Sequence, residues 1–398
     1  MKLGIYGGSY NPPHLGHLHA AVAAAKYLEL DRLLLIPAGI PPHKQLSEGA
    51  PEAEQRAAMT GYMAEQAALL AGIPVEVSRM EIEREGKSYT ADTLRALREQ
   101  YPDAELWLLM GTDMFLTFQA WYQPETILSL ASLCAFGRSE NDTEELFATQ
   151  REYLGKRFPN ARIVTMALPD LVEISSTELR AALPAGKGGK YLTPQVYGYI
   201  LREHLYGTAL DLRHLTPDQL RPVALSYLKA KRVRHVLGVE EEAIRLAERY
   251  GADVQKARVA ALLHDCTKKL GLAEHLALAE RYGIELDEEE RAEDKLLHSK
   301  TGAALARAVF GVDDEIYSAI FWHTTGRANM TLLEKVIYLA DYIEPNRNFD
   351  GVDALRAATY ESLNKGMALG LRMTIEDLNR RGKQIHRNTR EAYEFLKG

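Results

Sequence analysis

The sequence predicts an α/β domain built on a mostly parallel sheet, followed by a separate all-α domain. Three observations support this prediction. Over residues 1–206, short apolar runs alternate with helical patterns, which is typical of a parallel sheet covered on both faces. Beyond residue 216 no convincing strand occurs, and apolar residues recur at helical spacing. The length of 398 residues also exceeds that of one ordinary hydrophobic core.

The change of pattern predicts where the two domains meet. We expect a first domain over residues 1–206, a linker over 207–215 and a second domain over 216–398. Thr216 and Pro217 suit the cap and the first turn of a new helix. The strands expected in the first domain are 3–6, 32–36, 75–77, 105–110, 133–136 and 162–166. Its clearest helical patterns are 19–28, 51–70 and 90–101, and those of the second domain are 240–250, 254–270, 301–310 and 332–343.

Composition and charge favour a cytoplasmic protein that acts on small molecules. The net charge is −7, with 19 Lys and Arg against 25 Asp and Glu over residues 1–206, and 29 against 30 in the remainder. Neither half is basic, which argues against a nucleic-acid partner. No apolar run approaches the roughly 20 residues that span a bilayer, and residues 1–13 do not resemble a signal peptide. The two cysteines, Cys134 and Cys266, are expected to be reduced.

A glycine- and histidine-containing segment follows the first predicted strand and opens a helix. Residues 7–17 read GGSYNPPHLGH. Paired glycines let the backbone approach a ligand closely, and the free N–H groups at a helix start attract phosphate. His14 and His17 are three residues apart, so a helix would place them on one face at its positive end. Two imidazoles there can stabilise charge on a transferred phosphoryl group, which makes both of them candidate catalytic residues.

A second motif, ISSTELR over residues 174–180, opens another helix near the end of the first domain. Ser175 and Glu178 have the spacing of a capping box, which is a structural interpretation of those two residues. The cap does not explain Arg180 or the additional hydroxyls, which suit a triphosphate held at a second helix start. The motif is informative because it occurs together with the first one.

On these motifs the first domain resembles bacterial nicotinate mononucleotide adenylyltransferases, which belong to the HxGH nucleotidyltransferase superfamily. The likeness also includes residues 41–44, 88–93, 111–113 and Trp121. It implies a Rossmann-like fold and transfer of AMP from ATP to nicotinate mononucleotide, with Mg²⁺ brought by ATP. The implied ATP site comprises Gly8, Ser9, His14, His17, Lys44, Ser175, Ser176 and Arg180. The implied acceptor site comprises Thr90, Trp121 and Arg138.

Histidines in the second domain fall inside otherwise apolar helical sequence. A buried Asp is costly unless it is paired or bound to a metal, and two such Asp with four His form the ligand set of a divalent transition metal. The set is His235, His264, Asp265, His298, His323 and Asp341.

The order of these residues resembles that of the HD phosphohydrolase superfamily, and in finer detail that of its symmetrical diadenosine tetraphosphatases. The finer likeness includes residues 261–265, 323–326 and 340–345. It implies that a metal, with iron expected, is bound by His235, His264, Asp265 and Asp341. Lys268 would neutralise a phosphate, and His298 with His323 would either hold a second metal or contact substrate phosphates, the use we favour from the sequence. The implied reaction is hydrolysis of diadenosine tetraphosphate to two ADP by a metal-activated water.

Other functions fit parts of the sequence. The first domain could use another acceptor, such as phosphopantetheine or a cytidylyl-transfer substrate, although residues 88–93 and Trp121 favour a pyridine mononucleotide. The second domain could be a phosphodiesterase for a guanosine messenger, or a non-catalytic module that senses nucleotides. The expected partners are therefore small nucleotides, without nucleic acid or membrane, and a homo-oligomer is left open.

Overall fold

The structure of the chain is a computed structural model in which two compact units are distinct, Met1–Ala209 and Leu210–Gly398. The described residues are 1–41, 49–137, 143–168, 172 and 174–397. Lys44 and Arg138, which the sequence assigns to the ATP and acceptor sites, lie outside them. Among the helices of the described ranges, none combines the length and the apolarity needed to cross a bilayer.

The first unit contains the predicted parallel sheet. In its described part, six strands are arranged in the order β3-β2-β1-β4-β5-β6, and every pair is parallel. The strands are β1 (Lys2–Gly8), β2 (Arg32–Pro37), β3 (Val75–Val77), β4 (Glu105–Gly111), β5 (Ser132–Phe136) and β6 (Ile163–Met166). The strand order reverses between β1 and β4, because β2 and β3 lie on one side of β1 and the later strands lie on the other. The carboxyl ends of the strands at such a switch point are where α/β proteins bind ligands.

Helices cover both faces of this sheet. The helices are α1 (Leu15–Tyr27), α2 (Ala53–Ala71), α3 (Thr90–Gln100), α4 (Thr112–Leu116), α5 (Pro124–Leu130), α6 (Glu144–Arg157), α7 (Ser176–Ala182) and α8 (Pro194–Arg202). Successive β1 residues point to opposite faces. Tyr6 therefore packs in one core with Leu18 of α1, while Ile5 packs in the other with Leu94 of α3. Burying a leucine side chain in this way contributes about 1.5–3 kcal/mol.

The first helix begins earlier than the sequence pattern indicates. Apolar periodicity predicts a helix from residue 19, but α1 starts at Leu15 with His14 as its N-cap residue. The additional turn is residues 15–18, where Gly16 and His17 separate the apolar Leu15 from Leu18. Leu18 is nevertheless buried in the same core as Tyr6, and Leu15 packs against that core.

The second unit is helical throughout its described residues, as predicted. Its helices are α9 (Pro217–Leu225), α10 (Ala230–Tyr250), α11 (Val254–Leu263), α12 (Leu272–Tyr282), α13 (Glu288–Ala292), α14 (Asp294–Leu305), α15 (Asp314–Trp322), α16 (Leu332–Ile343), α17 (Val352–Glu361), α18 (Leu363–Arg380) and α19 (Arg387–Phe395). Thr216 caps α9 by accepting a hydrogen bond from Gln219 N, with Pro217 in the first turn. Helices α10, α11, α15 and α16 pack against one another, and most of the candidate ligands lie on them or directly after them.

The division near residue 209 predicts two units that fold separately. Tyr206 donates a hydrogen bond to Asn11 Oδ1 (2.8 Å), and Thr208 is buried and donates to Leu205 O, so both residues belong to the first unit. Arg213 donates to Ala308 O in the second unit. The linker at 207–215 remains a sequence prediction.

We expect fragments 1–209 and 210–398 each to unfold cooperatively, because each retains its own core. In fragment 1–209, Tyr206→Phe should lower the free energy of unfolding by about 1–2 kcal/mol, since it leaves the buried Asn11 oxygen without its donor. Thermal unfolding followed by circular dichroism would measure both effects. Failure of both fragments to fold would contradict the division of the chain.

Candidate functional sites

The loop after β1 leaves an open space at the carboxyl end of the sheet. Gly7 and Gly8 end β1, and α1 begins seven residues later at Leu15. No described atom lies within 4 Å of a Cβ built on Gly7, so the backbone there is open to a close approach. The N–H groups at the start of α1 point out of the helix end and favour an anion in this position.

His14 and His17 are brought together at the start of α1, although His14 lies before the helix and not in it. His14 has an extended backbone (φ −138°, ψ 174°), and its N–H donates to His17 Nδ1 (3.3 Å). The two ring centroids are 3.9 Å apart. Because Nδ1 of His17 accepts a hydrogen bond, its neutral ring carries the proton on Nε2, which can donate to a phosphate oxygen.

The second motif packs against the first. Ser175 caps α7 by accepting from Glu178 N, and the Glu178 carboxylate accepts from Ser175 N, so this pair forms the capping box. Arg180 donates to Asn11 O (2.7 Å), and Ser176 Oγ donates to Pro12 O (3.4 Å). Residues more than 160 positions apart in sequence therefore come together beside the loop after β1.

Arg56, a buried arginine of α2, stabilises the same loop and was not identified from the sequence. Its guanidinium donates to Ser9 O (2.9 Å) and to Gly39 O (3.2 Å), and only 1% of its surface is exposed. Burial lowers the pKa of Arg56 from its ordinary value. In the sequence, Arg56 is a charged residue among apolar ones in the helical pattern over 51–70. That position could have indicated a buried arginine, but not that it binds Ser9 and Gly39.

The segments that carry Thr90 and Trp121 also meet. Thr90 is the first residue of α3, and the ring of its neighbour Tyr89 lies 4.5 Å from that of Tyr122. Trp121 is half-buried, with its ring 5.4 Å from that of Phe118. The start of α3 lies beside the rings of Tyr89 and Tyr122. A helix start next to aromatic rings can accept an anionic group attached to a flat ring.

In the second unit, side chains from several helices converge on Asp265. His235 lies on α10 and Asp341 on α16, while His264 and Asp265 directly follow α11. His235 Nε2 is 3.0 Å from Asp341 Oδ1 and 3.9 Å from Asp265 Oδ2, and His264 Nε2 is 3.5 Å from Asp265 Oδ2. The ligand atoms of His235, His264 and Asp341 all lie within 4.8 Å of one another.

The hydrogen bonds of these histidines leave Nε2 to face the cluster. The Nδ1 atoms of His264 and His323 lie 2.6 Å from Ala261 O and Ile320 O, so each Nδ1 carries a proton and each Nε2 is the atom whose lone pair a metal would bind. Among the described residues, His264 Nε2 and Asp265 Oδ1 are buried without a hydrogen-bond partner. Buried lone pairs directed at one another fit a bound cation.

His298 and His323 belong to the same cluster. Their Nε2 atoms are 3.1 Å apart and lie 3.4 and 3.9 Å from Asp265 Oδ1, respectively. Burial lowers the pKa of His323 to about 4 and that of His298 well below its usual range, so both rings are neutral. Lys268 Nζ donates to His298 Nε2 (2.8 Å). The ligand atoms of His264, Asp265 and His323 form a second group within 4.8 Å.

Two arginines that sequence reasoning missed bind the carboxylates of the cluster. Arg232 Nε donates to Asp265 Oδ2 (2.5 Å), and Arg347 donates to Asp341 Oδ1 (2.7 Å). These ion pairs neutralise part of the negative charge that the two aspartates place at the centre. Arg232 is three residues before His235 on α10, a one-turn spacing that could have drawn attention to it.

Glu344 orients His235 by contacting its Nδ1, the ring nitrogen that does not face the cluster. It is 1% exposed and lies 3.1 Å from His235 Nδ1, and it also accepts hydrogen bonds from Asn346 N (2.6 Å) and Nδ2 (2.9 Å). A Cβ on Gly238 would lie 2.3 Å from a Glu344 carboxylate oxygen, so this close approach requires glycine. The carboxylate keeps the His235 proton on Nδ1 and leaves Nε2 for a ligand.

A third group of acidic and histidine side chains has a structural role. Asp287, Glu290 and His386 lie close enough to hold an ion, but Lys300 already pairs with Glu290 (2.6 Å). His386 Nε2 is 3.3 Å from Asp287 Oδ2, and this contact joins the start of α19 to the start of α13. His386 could not be singled out from sequence, because its partner Asp287 is 99 residues away.

Comparisons with known proteins match the two units separately. Cytidylyltransferase-like proteins match residues 5–182, and the HD domain matches residues 232–346. A probable nicotinate-nucleotide adenylyltransferase from Desulfatibacillum aliphaticivorans is 35% identical over 52% of this chain and 100% of its own length. A symmetrical bis(5'-nucleosyl)-tetraphosphatase from Halalkalibacterium halodurans is 42% identical over 43% of this chain and 91% of its own length.

A solved structure from Clostridium acetobutylicum also matches the second unit. It is described as a predicted HD superfamily hydrolase involved in NAD metabolism. Its sequence is 43% identical, and the match covers 46% of this chain and 97% of that one, with a TM-score of 0.45.

Replacing Glu344 by Gln should weaken divalent-metal binding to the second unit by roughly tenfold or more, because the neutral amide no longer raises the basicity of His235. Titration of metal-stripped full-length protein by calorimetry would measure the affinity. Glu361→Gln, a substitution at an exposed position of α17, is the matched control and should leave the affinity unchanged. Equal affinities for the two variants would remove Glu344 from the site.

Proposed function

The chain belongs to the nicotinate-nucleotide adenylyltransferase family in its first half and to the HD-superfamily symmetrical bis(5'-nucleosyl)-tetraphosphatases in its second, and on that premise we propose two activities for it. The first unit transfers AMP from ATP to nicotinate mononucleotide, which gives deamido-NAD and pyrophosphate. The second unit hydrolyses diadenosine tetraphosphate to two ADP. The meeting of the two nucleotide motifs supports the first activity, and the buried His and Asp cluster supports the second.

In the proposed transfer, a phosphate oxygen of the mononucleotide attacks the α-phosphorus of ATP in line with the bond that breaks. The bond from the α-phosphorus to the bridging oxygen breaks, and pyrophosphate leaves with the electron pair. This chemistry depends mainly on positioning and on neutralising charge, to which Mg²⁺ carried by ATP contributes. The proposed ATP contacts are Gly8, Ser9, His14, His17, Lys44, Ser175, Ser176 and Arg180. The proposed acceptor contacts are Thr90, Trp121 and Arg138.

The cradle for ATP is supported by contacts within the first unit. Arg180 and Arg56 bind backbone carbonyls of residues 9–11 and so hold the loop in shape while placing positive charge beside it. His14 and His17 lie at the start of α1, where the helix end already favours an anion. Removing one preorganised donor from such a site typically costs 10²–10³ in kcat.

In the proposed hydrolysis, His235, His264, Asp265 and Asp341 hold a divalent transition metal, for which we propose iron. Such a metal polarises a phosphate oxygen and makes a nearby water acidic. Lys268 lies beside the cluster, with Nζ 3.8 Å from Asp265 Oδ1, where it can contact a phosphate. Phosphate contacts by His298 and His323 were the use favoured from the sequence. The proximity of His323 Nε2 to His264 and Asp265 supports the alternative for His323, a second metal position.

Substituting His17 by Ala should lower kcat for adenylyl transfer by roughly 10²-fold, since the imidazole no longer donates to the transferred phosphoryl group. The KM values for ATP and nicotinate mononucleotide should change little. A coupled pyrophosphate assay on the full chain would measure both constants. His19→Ala, two residues further along α1, is the matched control and should retain the wild-type kcat. An unchanged kcat for His17→Ala would exclude this role.

Metal-replete protein should convert diadenosine tetraphosphate to ADP alone, because the second unit is proposed to attack the central phosphates. Anion-exchange chromatography of the products would distinguish this from asymmetric cleavage. ATP plus AMP as the main products would refute the assignment. Turnover of a guanosine messenger in preference to the tetraphosphate would instead support the phosphodiesterase alternative.

Metal analysis of variants would separate the roles within the cluster. Asp265→Asn should abolish hydrolysis and most metal binding, while adenylyl transfer continues. Asp287→Asn, in the third acidic group, is the control and should keep both the metal and the activity. His323→Ala should lose metal if His323 is a ligand. A full metal complement in His323→Ala would return this residue to the phosphate contacts favoured from the sequence.

A further inference from the structure

A cavity of about 740 Å³ lies between α16 and α18 of the second unit. Sites for small organic ligands in proteins usually have volumes of about 300–1,000 Å³, so this cavity is large enough for a nucleoside. Its lining includes Tyr342, Phe349, Met373, Thr374, Glu376 and Asp377.

The cavity and the metal-ligand candidates share the chain segment at the end of α16. Tyr342 directly follows Asp341 on α16, so one short segment contributes both a candidate ligand and a cavity wall. Arg347 in the loop after α16 donates to the Asp341 carboxylate (2.7 Å) and to Asp341 O (2.9 Å). Phe349 follows Arg347 by two residues and lines the cavity. This continuity of the chain supports a molecule whose phosphates reach Asp341 and Arg347 and whose remaining part extends into the cavity.

Two aromatic rings in this wall provide a surface for stacking. The ring centroids of Tyr342 and Phe349 are 5.4 Å apart, with planes inclined by 36°, and both side chains are partly exposed. Thr374 Oγ1 donates to Tyr342 Oη (3.2 Å) and so holds that ring in position. Stacking of a nucleobase on an aromatic side chain contributes about 1–3 kcal/mol.

The charges around the cavity determine which part of a nucleotide it accepts. Asp350, Glu376 and Asp377 contribute carboxylates to the lining and Arg380 contributes one guanidinium, so negative charge is in excess. Hydrogen bonds from Arg380 (2.6 Å) and Arg381 (2.9 Å) lower the pKa of Asp377, which is therefore ionised at neutral pH. Carboxylates repel phosphate but accept hydrogen bonds from an amino group on a base. The cavity thus favours the base, and the arginines of the cluster favour the phosphates.

We propose that this cavity binds one purine base of the dinucleotide substrate, which stacks on Phe349 and Tyr342 with its exocyclic amino group toward the carboxylates. The proposal rests on the proposed hydrolysis, since it supplies the base site that a dinucleoside polyphosphate needs beside the cleaved phosphates. It makes Phe349 a residue that determines affinity for the substrate and takes no part in the chemical step.

Kinetics of the metal-loaded full chain test this assignment. Phe349→Ala should raise KM for diadenosine tetraphosphate by roughly tenfold or more and change kcat little. Phe349→Tyr keeps an aromatic ring and should restore KM. Phe395→Ala, on an exposed aromatic residue of α19, is the matched control and should behave as wild type. An unchanged KM in Phe349→Ala would overturn the base site while leaving the hydrolysis intact.

Photolabelling distinguishes failure of the base site from failure of the proposed reaction. We expect 8-azido-ADP to label peptides that contain residues 342–350 or 373–380, and Phe349→Ala to reduce that label. Labelling of first-unit peptides should continue and provides an internal control. Label at the cavity without any tetraphosphate hydrolysis would support the base site and refute the substrate. Absence of label there in an active enzyme would refute the base site alone.

Discussion

The buried charge of Asp265 is the constraint on which the second unit depends. Its side chain is fully buried, and neighbours such as His264 and Lys268 hold its pKa well below the usual range even though burial acts to raise it. An uncompensated charge of this kind costs several kcal/mol. Arg232 and four histidines therefore have to converge on it from different parts of the unit. The same convergence that makes the carboxylate tolerable in the fold creates a set of ligand atoms for a metal.

The constraint on the first unit is different. Backbone N–H groups and arginine side chains have to be held at the carboxyl edge of the sheet. Asn11 is central to that arrangement, because its carbonyl oxygen accepts from Arg180 and its side-chain oxygen accepts from Tyr206. The parallel order of the strands places the loops after β1 and β6 at the same edge. Preorganisation of the loop is thus a consequence of the sheet topology and of the long-range hydrogen bonds that Arg56, Arg180 and Tyr206 donate to it.

The parts of the structure that sequence predicted are those encoded by local patterns. The apolar runs located all six described strands to within about two residues, and the dense motifs identified His17, Arg180 and Asp265 as residues of interest. The roles of Arg56, Arg347 and Glu344 were not predicted, because they depend on contacts with other residues in the fold and not on a spacing within a motif. Glu344 contacts His235 across 109 residues, and Arg56 contacts Ser9 across 47. No periodicity in the sequence records such pairs.

Thermal unfolding of the full chain with and without metal tests most directly the claim that the Asp265 cluster is a metal site. A ligand that binds only the folded state at 100 times its Kd stabilises it by about 2.7 kcal/mol. Adding Fe²⁺ or Mn²⁺ under anaerobic conditions to metal-stripped protein should therefore raise the Tm of the second unit by several degrees. The Tm of the first unit, and both transitions of Asp265→Asn, should not move. An equal shift in wild type and Asp265→Asn, or no shift in wild type, would contradict the account.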